Sequence, residues 1–253
     1  MYNNFSNNYD RFVNWTARLA FELPFLEKQM APLGGSLHIL DAACGTGKHA
    51  IALVQRGHRV SGADLSGAMI KQARQNAAVA NVSVEFVEAG FGQLSWAFNN
   101  RKFDALLCLG NSLPHLTSST ALQEALRDFA NCVRPGGLLM IQNRNFDAVL
   151  AKQDRWMEPQ AYQEPGQEFL FVRFYDFLPN GLIQFNILTL QRKTGGAWQQ
   201  TLSSTELAPQ RQTDLVSAIS SAGFNRIVCY GSLSDVSFDP QVSGNLVITA
   251  YKA

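Results

Sequence analysis

Apolar and polar residues alternate along this chain in two rhythms that trade places. Short apolar runs at 37–40, 59–63, 82–87, 105–109 and 138–141 read as buried strands. Stretches with helical spacing at 50–56, 66–80 and 120–133 lie between them. Gly57 and Asn81 fall where helix C-terminal caps are expected, and Pro135-Gly136-Gly137 is expected to end the third helix. Strands alternating with helices predict a parallel sheet with crossovers on both faces.

The rhythm changes after Phe146. Segments 169–177 and 182–192 are β-rich, and Pro179-Asn180-Gly181 between them is a hairpin signal. Thr194-Gly195-Gly196 marks a second turn before a third strand at 198–205. The expectation is a small antiparallel β insertion over about 165–205 within a single domain, 1–253. Residues 37–147 form the core of that domain. Residues 206–253 return to a helix at 213–222, closed by Gly223, and two last strands at 226–230 and 246–251. In the opening segment, 1–36, Tyr9, Phe12, Trp15, Leu19 and Leu26 make one apolar helical stripe. Two readings stand for it: packing against the sheet, or a lid over a ligand.

Composition narrows the partners. Hydrophobic residues make up 46% of the chain, enough for a full core, and the formal net charge is +1 with no run of like charges. That balance argues against nucleic acid as partner, since such proteins concentrate basic residues. Cys44, Cys108, Cys132 and Cys229 have no metal-ligand spacing and sit among apolar residues, so no metal site and no disulfide framework is expected. The first residues lack the pattern of a secretory leader, and no apolar run is long enough to span a bilayer. The default expectation is a cytoplasmic protein with no membrane partner; the sequence leaves its oligomeric state open.

The candidate chemistry begins where the first strand meets Asp41-Ala42-Ala43-Cys44-Gly45-Thr46-Gly47. Gly45 and Gly47 let the backbone turn sharply and approach a ligand, and a helix starts just beyond. Asp64 ends the second strand, nineteen residues after Gly45, where a carboxylate can accept both hydroxyls of a ribose. Asp41 would repel a pyrophosphate but can contact or orient a cationic amine.

These residues resemble motif I of the class I S-adenosylmethionine-dependent methyltransferases. Asp64-Leu65-Ser66 with Met69-Ile70 resembles their second motif, and Phe103-Asp104 and Arg134-Pro135-Gly136-Gly137 resemble later signatures. The resemblance implies a doubly wound α/β fold, a mostly parallel seven-stranded sheet of Rossmann-like form carrying the antiparallel insertion. It implies S-adenosylmethionine as cofactor, with Gly45 and Gly47 cradling its backbone, Asp64 holding the ribose, and Asp41, Ala43, Leu65 and Leu109 also among the cofactor-binding residues. Many members have an acid after the third strand that contacts the adenine amine. Here the segment is Val87-Glu88-Ala89-Gly90-Phe91, and Ala89 stands where that acid is common. Backbone groups of Ala89 and Gly90 then become the candidates for reading adenine. Phe91 either packs on the ring or belongs to the core, and Glu88 enters only with a one-residue change of register.

In open α/β sheets ligands lie beyond the carboxyl ends of the strands. The fourth strand opens there into Gly110-Asn111-Ser112-Leu113-Pro114-His115, and the fifth ends in Asn143-Arg144-Asn145-Phe146-Asp147. Asn111 offers an acceptor to a nucleophilic amine. His115 is either a carboxylate ligand or a packing residue. Arg144 is either a bidentate fork for a carboxylate or half of a surface ion pair. Leu109-Gly110-Asn111-Ser112 and Arg144-Asn145-Phe146-Asp147 resemble the glycine and sarcosine N-methyltransferase branch, in which the matching arginine binds the amino-acid carboxylate. The expected activity is therefore methyl transfer to a small molecule, an amino-acid-like amine in the sharpest form. The alternatives are the same fold acting on a macromolecule or using a modified cofactor, and a non-catalytic cofactor-binding module.

Overall fold

The computed structural model describes residues 9–11 and 13–253, so Phe12 of the N-terminal stripe lies outside the described residues. Seven strands form the central sheet. In chain order they are β1 (His38–Asp41), β2 (Arg59–Asp64), β3 (Glu85–Glu88), β4 (Phe103–Cys108), β5 (Val133–Arg144), β10 (Phe224–Tyr230) and β11 (Asn245–Lys252). Their spatial order is β10-β11-β5-β4-β1-β2-β3. The pairs from β3 across to β5 are parallel, whereas β11 runs antiparallel to both β5 and β10. The strand order reverses between β1 and β4, and a crevice opens at the carboxyl end of such a switch point.

Alternation along the strands builds a core on each face. Ile39 of β1 joins Leu26, Leu53 and Ile70 from the helices α1 (Trp15–Met30), α2 (Lys48–Gln55) and α3 (Gly67–Val79). Leu40, one residue on, joins Phe98, which caps the short helix α4 (Leu94–Ala97), Phe129 of α5 (Ser119–Cys132) and Ile219 of α7 (Gln212–Ser221). The short helix α6 (Phe146–Lys152) follows β5 directly. Gly57 and Asn81 follow α2 and α3 in the left-handed conformation, φ +90° and +52°, as helix-ending residues do.

Three elements differ from expectation. The third strand is Glu85–Glu88, because Val82 and Val84 pack on the core as connecting chain. Pro135-Gly136-Gly137 lies inside β5 instead of ending a helix. Helix α5 stops at Cys132 because Val133 is already extended, ψ 134°, and pairs with Phe103. At Gly137 a Cβ would stand 2.8 Å from the Asp104 carbonyl oxygen, so the close approach of β4 and β5 requires glycine there. Finally, the antiparallel sheet has four strands, β6 (Gln160–Glu164), β7 (Gln167–Phe177), β8 (Ile183–Lys193) and β9 (Gln199–Leu207), in sequential order. The β6 strand is polar and mostly exposed, so it carries no apolar alternation to read. The sheet leans on the end of β4: the Ala208 N–H donates to the Pro114 carbonyl at 2.7 Å. No helix among the described residues is long and apolar enough to cross a membrane.

Candidate active site

The crevice at the switch point is a cavity of about 460 Å³. Ala42, Ala43 and Gly45 form one wall, Asp64, Leu65 and Met69 a second, and Ala89, Gly90, Phe91 and Gln93 a third. Gly110, Ser112, His115 and Leu116 close the far end, with Thr205 reaching in from β9 and Tyr9 from the N-terminal segment. Most residues expected around a cofactor thus meet here, although they come from three separate strand ends.

The two motif glycines divide their work. Gly45, φ +52°, faces the cavity, and the nearest protein atom to a Cβ added there is Tyr9 Cε1 at 3.8 Å. Gly47, φ +77°, is the N-cap of α2 and faces inward; a Cβ there would lie 2.7 Å from Phe86 Cζ and 3.0 Å from Ala73 Cβ. It lets α2 approach the sheet and does not line the cavity. Asp64 holds the loop: one carboxylate oxygen accepts the Gly45 N–H and the other the Ser66 N–H, both at 2.9 Å. Burial raises its pKa, and these two bonds oppose the rise. Each oxygen keeps a lone pair for a further donor.

Asp41 stands behind this wall. It is 2% exposed, its Oδ2 has no hydrogen-bond partner among the described residues, and burial pushes its pKa up to about 6. Leu109 is likewise buried, its carbonyl accepting the Ser112 hydroxyl at 3.0 Å. Neither lines the cavity.

The third wall departs from expectation. The Ala89 N–H donates to the Asp64 carbonyl at 3.1 Å and the Gly90 N–H to Gln93 Oε1 at 3.3 Å. Both amide hydrogens are engaged, and the side-chain amide of Gln93, which sequence reasoning did not single out, faces the cavity instead. Glu88 packs over Gly67 and does not line it. Phe91 serves both expected roles, lining the cavity and meeting Phe129 edge-on at 5.4 Å. Leu65 is 75% exposed at the rim, an apolar side chain that a planar ring would cover.

The N-terminal segment is built into the site. Asp10 accepts hydrogen bonds from Thr46 Oγ1 at 2.6 Å, Trp15 Nε1 at 2.9 Å and Asn76 Nδ2 at 3.1 Å, clasping the motif loop. Trp15 packs edge-on against His49 of α2, away from the cavity. Arg18 bonds Glu22 at 3.0 Å and the Tyr9 hydroxyl, and reaches to 3.7 Å from the Cβ position of Gly110. Glu22 in turn meets His49 at 2.6 Å in a buried pair. Asp10 and Arg18 had no sequence signal, because their partners are far away along the chain.

Asn111 and Arg144 stand apart from the cavity. Asn111, φ +65°, uses Oδ1 to accept the Arg144 N–H at 2.9 Å, so its acceptor is turned to the end of β5 and not to a bound amine. The Arg144 side chain faces a second cavity, of about 440 Å³, between β5, α6 and β7, and hydrogen-bonds Tyr175. Among the described residues Arg144 has no ion-pair partner. His115 lies in the first cavity, its imidazole pushed down to about 4 by burial. No cluster among the described residues has the makings of a metal site.

The cavity suits an S-adenosyl group. Its size is that of a ligand pocket. Gly45 leaves open space for a chain, Asp64 keeps acceptors for a diol, and Leu65 and Phe91 offer apolar surface for a base. Residues 39–137 match the methyltransferase domain family. The chain is similar to glycine/sarcosine N-methyltransferase of Aphanothece halophytica, 34% identical over 146 residues, which cover 58% of this chain and 54% of the relative. These likenesses support a class I S-adenosylmethionine-dependent methyltransferase. The same likenesses support S-adenosylmethionine as the cofactor. The chain spans about half the length of the curated relatives it matches. In fold the chain is similar to an S-adenosylmethionine-dependent methyltransferase from Clostridium acetobutylicum, with TM-score 0.79, 16% identity and coverage of 100% and 99% of the two chains. It is also similar to a sugar N-methyltransferase of Streptoalloteichus, with TM-score 0.76, 19% identity and coverage of 100% and 92%.

Proposed function

We propose that this methyltransferase methylates the amine of a small acceptor that carries a carboxylate, with Arg144 as the carboxylate anchor. The observation carrying the reading is the Asn111–Arg144 link, which ties the loop at the acceptor end of the cofactor cavity to the backbone of Arg144, whose guanidinium has no ion-pair partner among the described residues. Similarity to a glycine/sarcosine N-methyltransferase supports it.

In this reading Gly45, Asp64 and Leu65 bind the cofactor, with Asp41 behind them as a negative charge for its ammonium. When bound, S-adenosylmethionine supplies a methyl group on a cationic sulfur with a good leaving group. The chain's own task is alignment, which can contribute ~7–11 kcal/mol in favourable cases. Tyr9, Phe91 and Thr205 narrow the cavity and exclude water. His115, with its pKa near 4, is the neutral imidazole at neutral pH, with one N–H and one unprotonated ring nitrogen; the unprotonated nitrogen accepts a hydrogen bond from the acceptor, and the released proton passes to water. Arg144 presents a planar fork to the carboxylate.

The test is mass spectrometry of reactions between the purified protein, S-adenosylmethionine and a panel of amino acids, other amines and phenols. A mass gain of one methyl on a carboxylate-bearing amine, lost in Arg144→Lys while S-adenosylhomocysteine affinity holds, is the expected result. Methylation confined to acceptors without an acid group overturns the reading.

A further inference from the structure

The wall of the first cavity that follows β3 offers a ligand few hydrogen-bonding groups. Ala89 ends in a methyl and Gly90 has no side chain, and their N–H groups are taken by the Asp64 carbonyl and by Gln93 Oε1. Glu88 lays its carboxylate over Gly67, where an added Cβ would stand 2.5 Å from Oε2. Among the described residues on this wall and on the wall of Asp64, the polar side chains are Asp64 and Gln93. The orientation of Gln93 is set by its neighbour. The Gly90 N–H is a donor and needs an oxygen opposite, so Oε1 points to Gly90 at 3.3 Å and Nε2 turns away from it. Nε2 has no hydrogen-bond partner among the described residues, and Oε1 keeps a second lone pair. The side chain therefore presents a donor and an acceptor side by side.

We propose that Gln93 reads the base of the cofactor and selects a 6-amino purine over a 6-oxo purine. The proposal rests on the first cavity as the S-adenosyl site and is independent of how Arg144 is used. Adenine carries an amino donor flanked by ring-nitrogen acceptors. A glutamine amide matches such a donor–acceptor pair with two parallel hydrogen bonds, as it does when proteins read adenine in nucleic acids. In hypoxanthine an oxo acceptor replaces the amino donor, and the neighbouring ring nitrogen carries a proton. To follow that change the amide would have to turn over, setting Nε2 against the Gly90 N–H, donor against donor. The bond to Gly90 thus makes the amide selective. Leu65 and Phe91 offer apolar surface to either base and do not distinguish them. An amide at position 93 offers what an acid at position 89 could not, a donor beside the acceptor.

The experiment is calorimetry with S-adenosylhomocysteine and with S-inosylhomocysteine, its 6-oxo counterpart, on wild type, Gln93→Met and Gln93→Ala. Gln93 is exposed and its side chain caps no helix, and circular dichroism melts check that both variants fold. Wild type is expected to bind S-adenosylhomocysteine at least about tenfold more tightly than S-inosylhomocysteine. Gln93→Met keeps the length of the side chain without its donor or its strong acceptor. There the two affinities should converge to within about threefold, almost wholly through weaker binding of S-adenosylhomocysteine, and Gln93→Ala should behave alike. An equal loss for both ligands would mean that Gln93 only holds the loop at Gly90. A preference that survives in Gln93→Met would give the reading of the base to the backbone. Either result, or a wild type that binds the two ligands alike, overturns the proposal and leaves the cofactor site standing. Binding of neither ligand by wild type removes the cofactor site as well.

Discussion

The side-chain oxygen of Asn111 accepts the backbone N–H of Arg144 at 2.9 Å, fastening the loop after β4 to the end of β5. Two more bonds run beside it, from the Asn111 N–H to the Gln142 carbonyl at 3.0 Å and from the Gly110 N–H to Gln142 Oε1 at 2.9 Å. Asn111 does this at φ +65°, a conformation asparagine tolerates better than most residues. Asn111→Ala should lose the bond and add backbone strain, together about 1–3 kcal/mol. Asn111→Gly removes only the bond and should melt closer to wild type. Both should raise the acceptor KM and spare S-adenosylhomocysteine binding. A normal KM in Asn111→Gly would show that the link does not position Arg144.

The two motif glycines should fail in different ways. Gly45→Val places its side chain in the cavity beside Tyr9 and should abolish S-adenosylhomocysteine binding in calorimetry. The left-handed backbone adds roughly 1–2 kcal/mol of destabilisation. Gly47→Ala meets Phe86 and Ala73 inside the core, and its main effect should be a lower melting temperature. Equal effects of the two variants on binding and melting would contradict this division.

Asp64→Ala removes the acceptors facing the cavity and the bonds to Gly45 and Ser66 together. Hydrogen bonds to a charged group contribute roughly 1.5–3 kcal/mol each, so cofactor affinity should fall by at least about tenfold. A folded variant with less than about a twofold loss would remove Asp64 from the cofactor set.

Asp41 makes apo stability depend on pH. Its folded pKa of about 6 lies above the ordinary value of a free aspartate, so the folded state holds the proton more tightly than the unfolded one. The favourable contribution is complete below about pH 4 and is lost as pH rises through about 6. Asp41→Asn should therefore gain on wild type between about pH 5 and about pH 8, by up to about 3 kcal/mol in denaturant titrations. Saturating S-adenosylhomocysteine, whose ammonium would answer the ionised carboxylate, should shrink the gain. A pH-independent difference would mean that Asp41 does not titrate in this range.

Asp10 predicts how the N-terminal segment behaves. Asp10→Ala releases Thr46, Trp15 and Asn76 and should speed amide exchange around residues 9–11 and in the motif loop. Bound S-adenosylhomocysteine should slow exchange at Tyr9 in wild type, as a covering side chain requires. Identical exchange with and without ligand would leave the segment as packing alone.

Local patterning carried much of this protein. Periodicity located the strands that hold the site, because burial on both faces makes a parallel strand apolar throughout. Asp41, Gly45 and Asp64 could be singled out from sequence because strand-to-helix turns need particular residues at particular spacings, and spacing along the chain is what a sequence records. The strand β6 left no trace there, since an exposed, polar edge strand buries nothing. Only the folded chain could decide that Gly47 serves packing while Gly45 faces the cavity, since both are left-handed glycines two residues apart and differ in what surrounds them. The same holds for Asp10 clasping Thr46 across thirty-six residues, for Gln93 taking the Gly90 N–H, and for Arg173 arriving beside Arg144 from another sheet. Hydrogen bonds and charges act over a few ångströms whatever the separation in sequence, so their partners are set by tertiary packing.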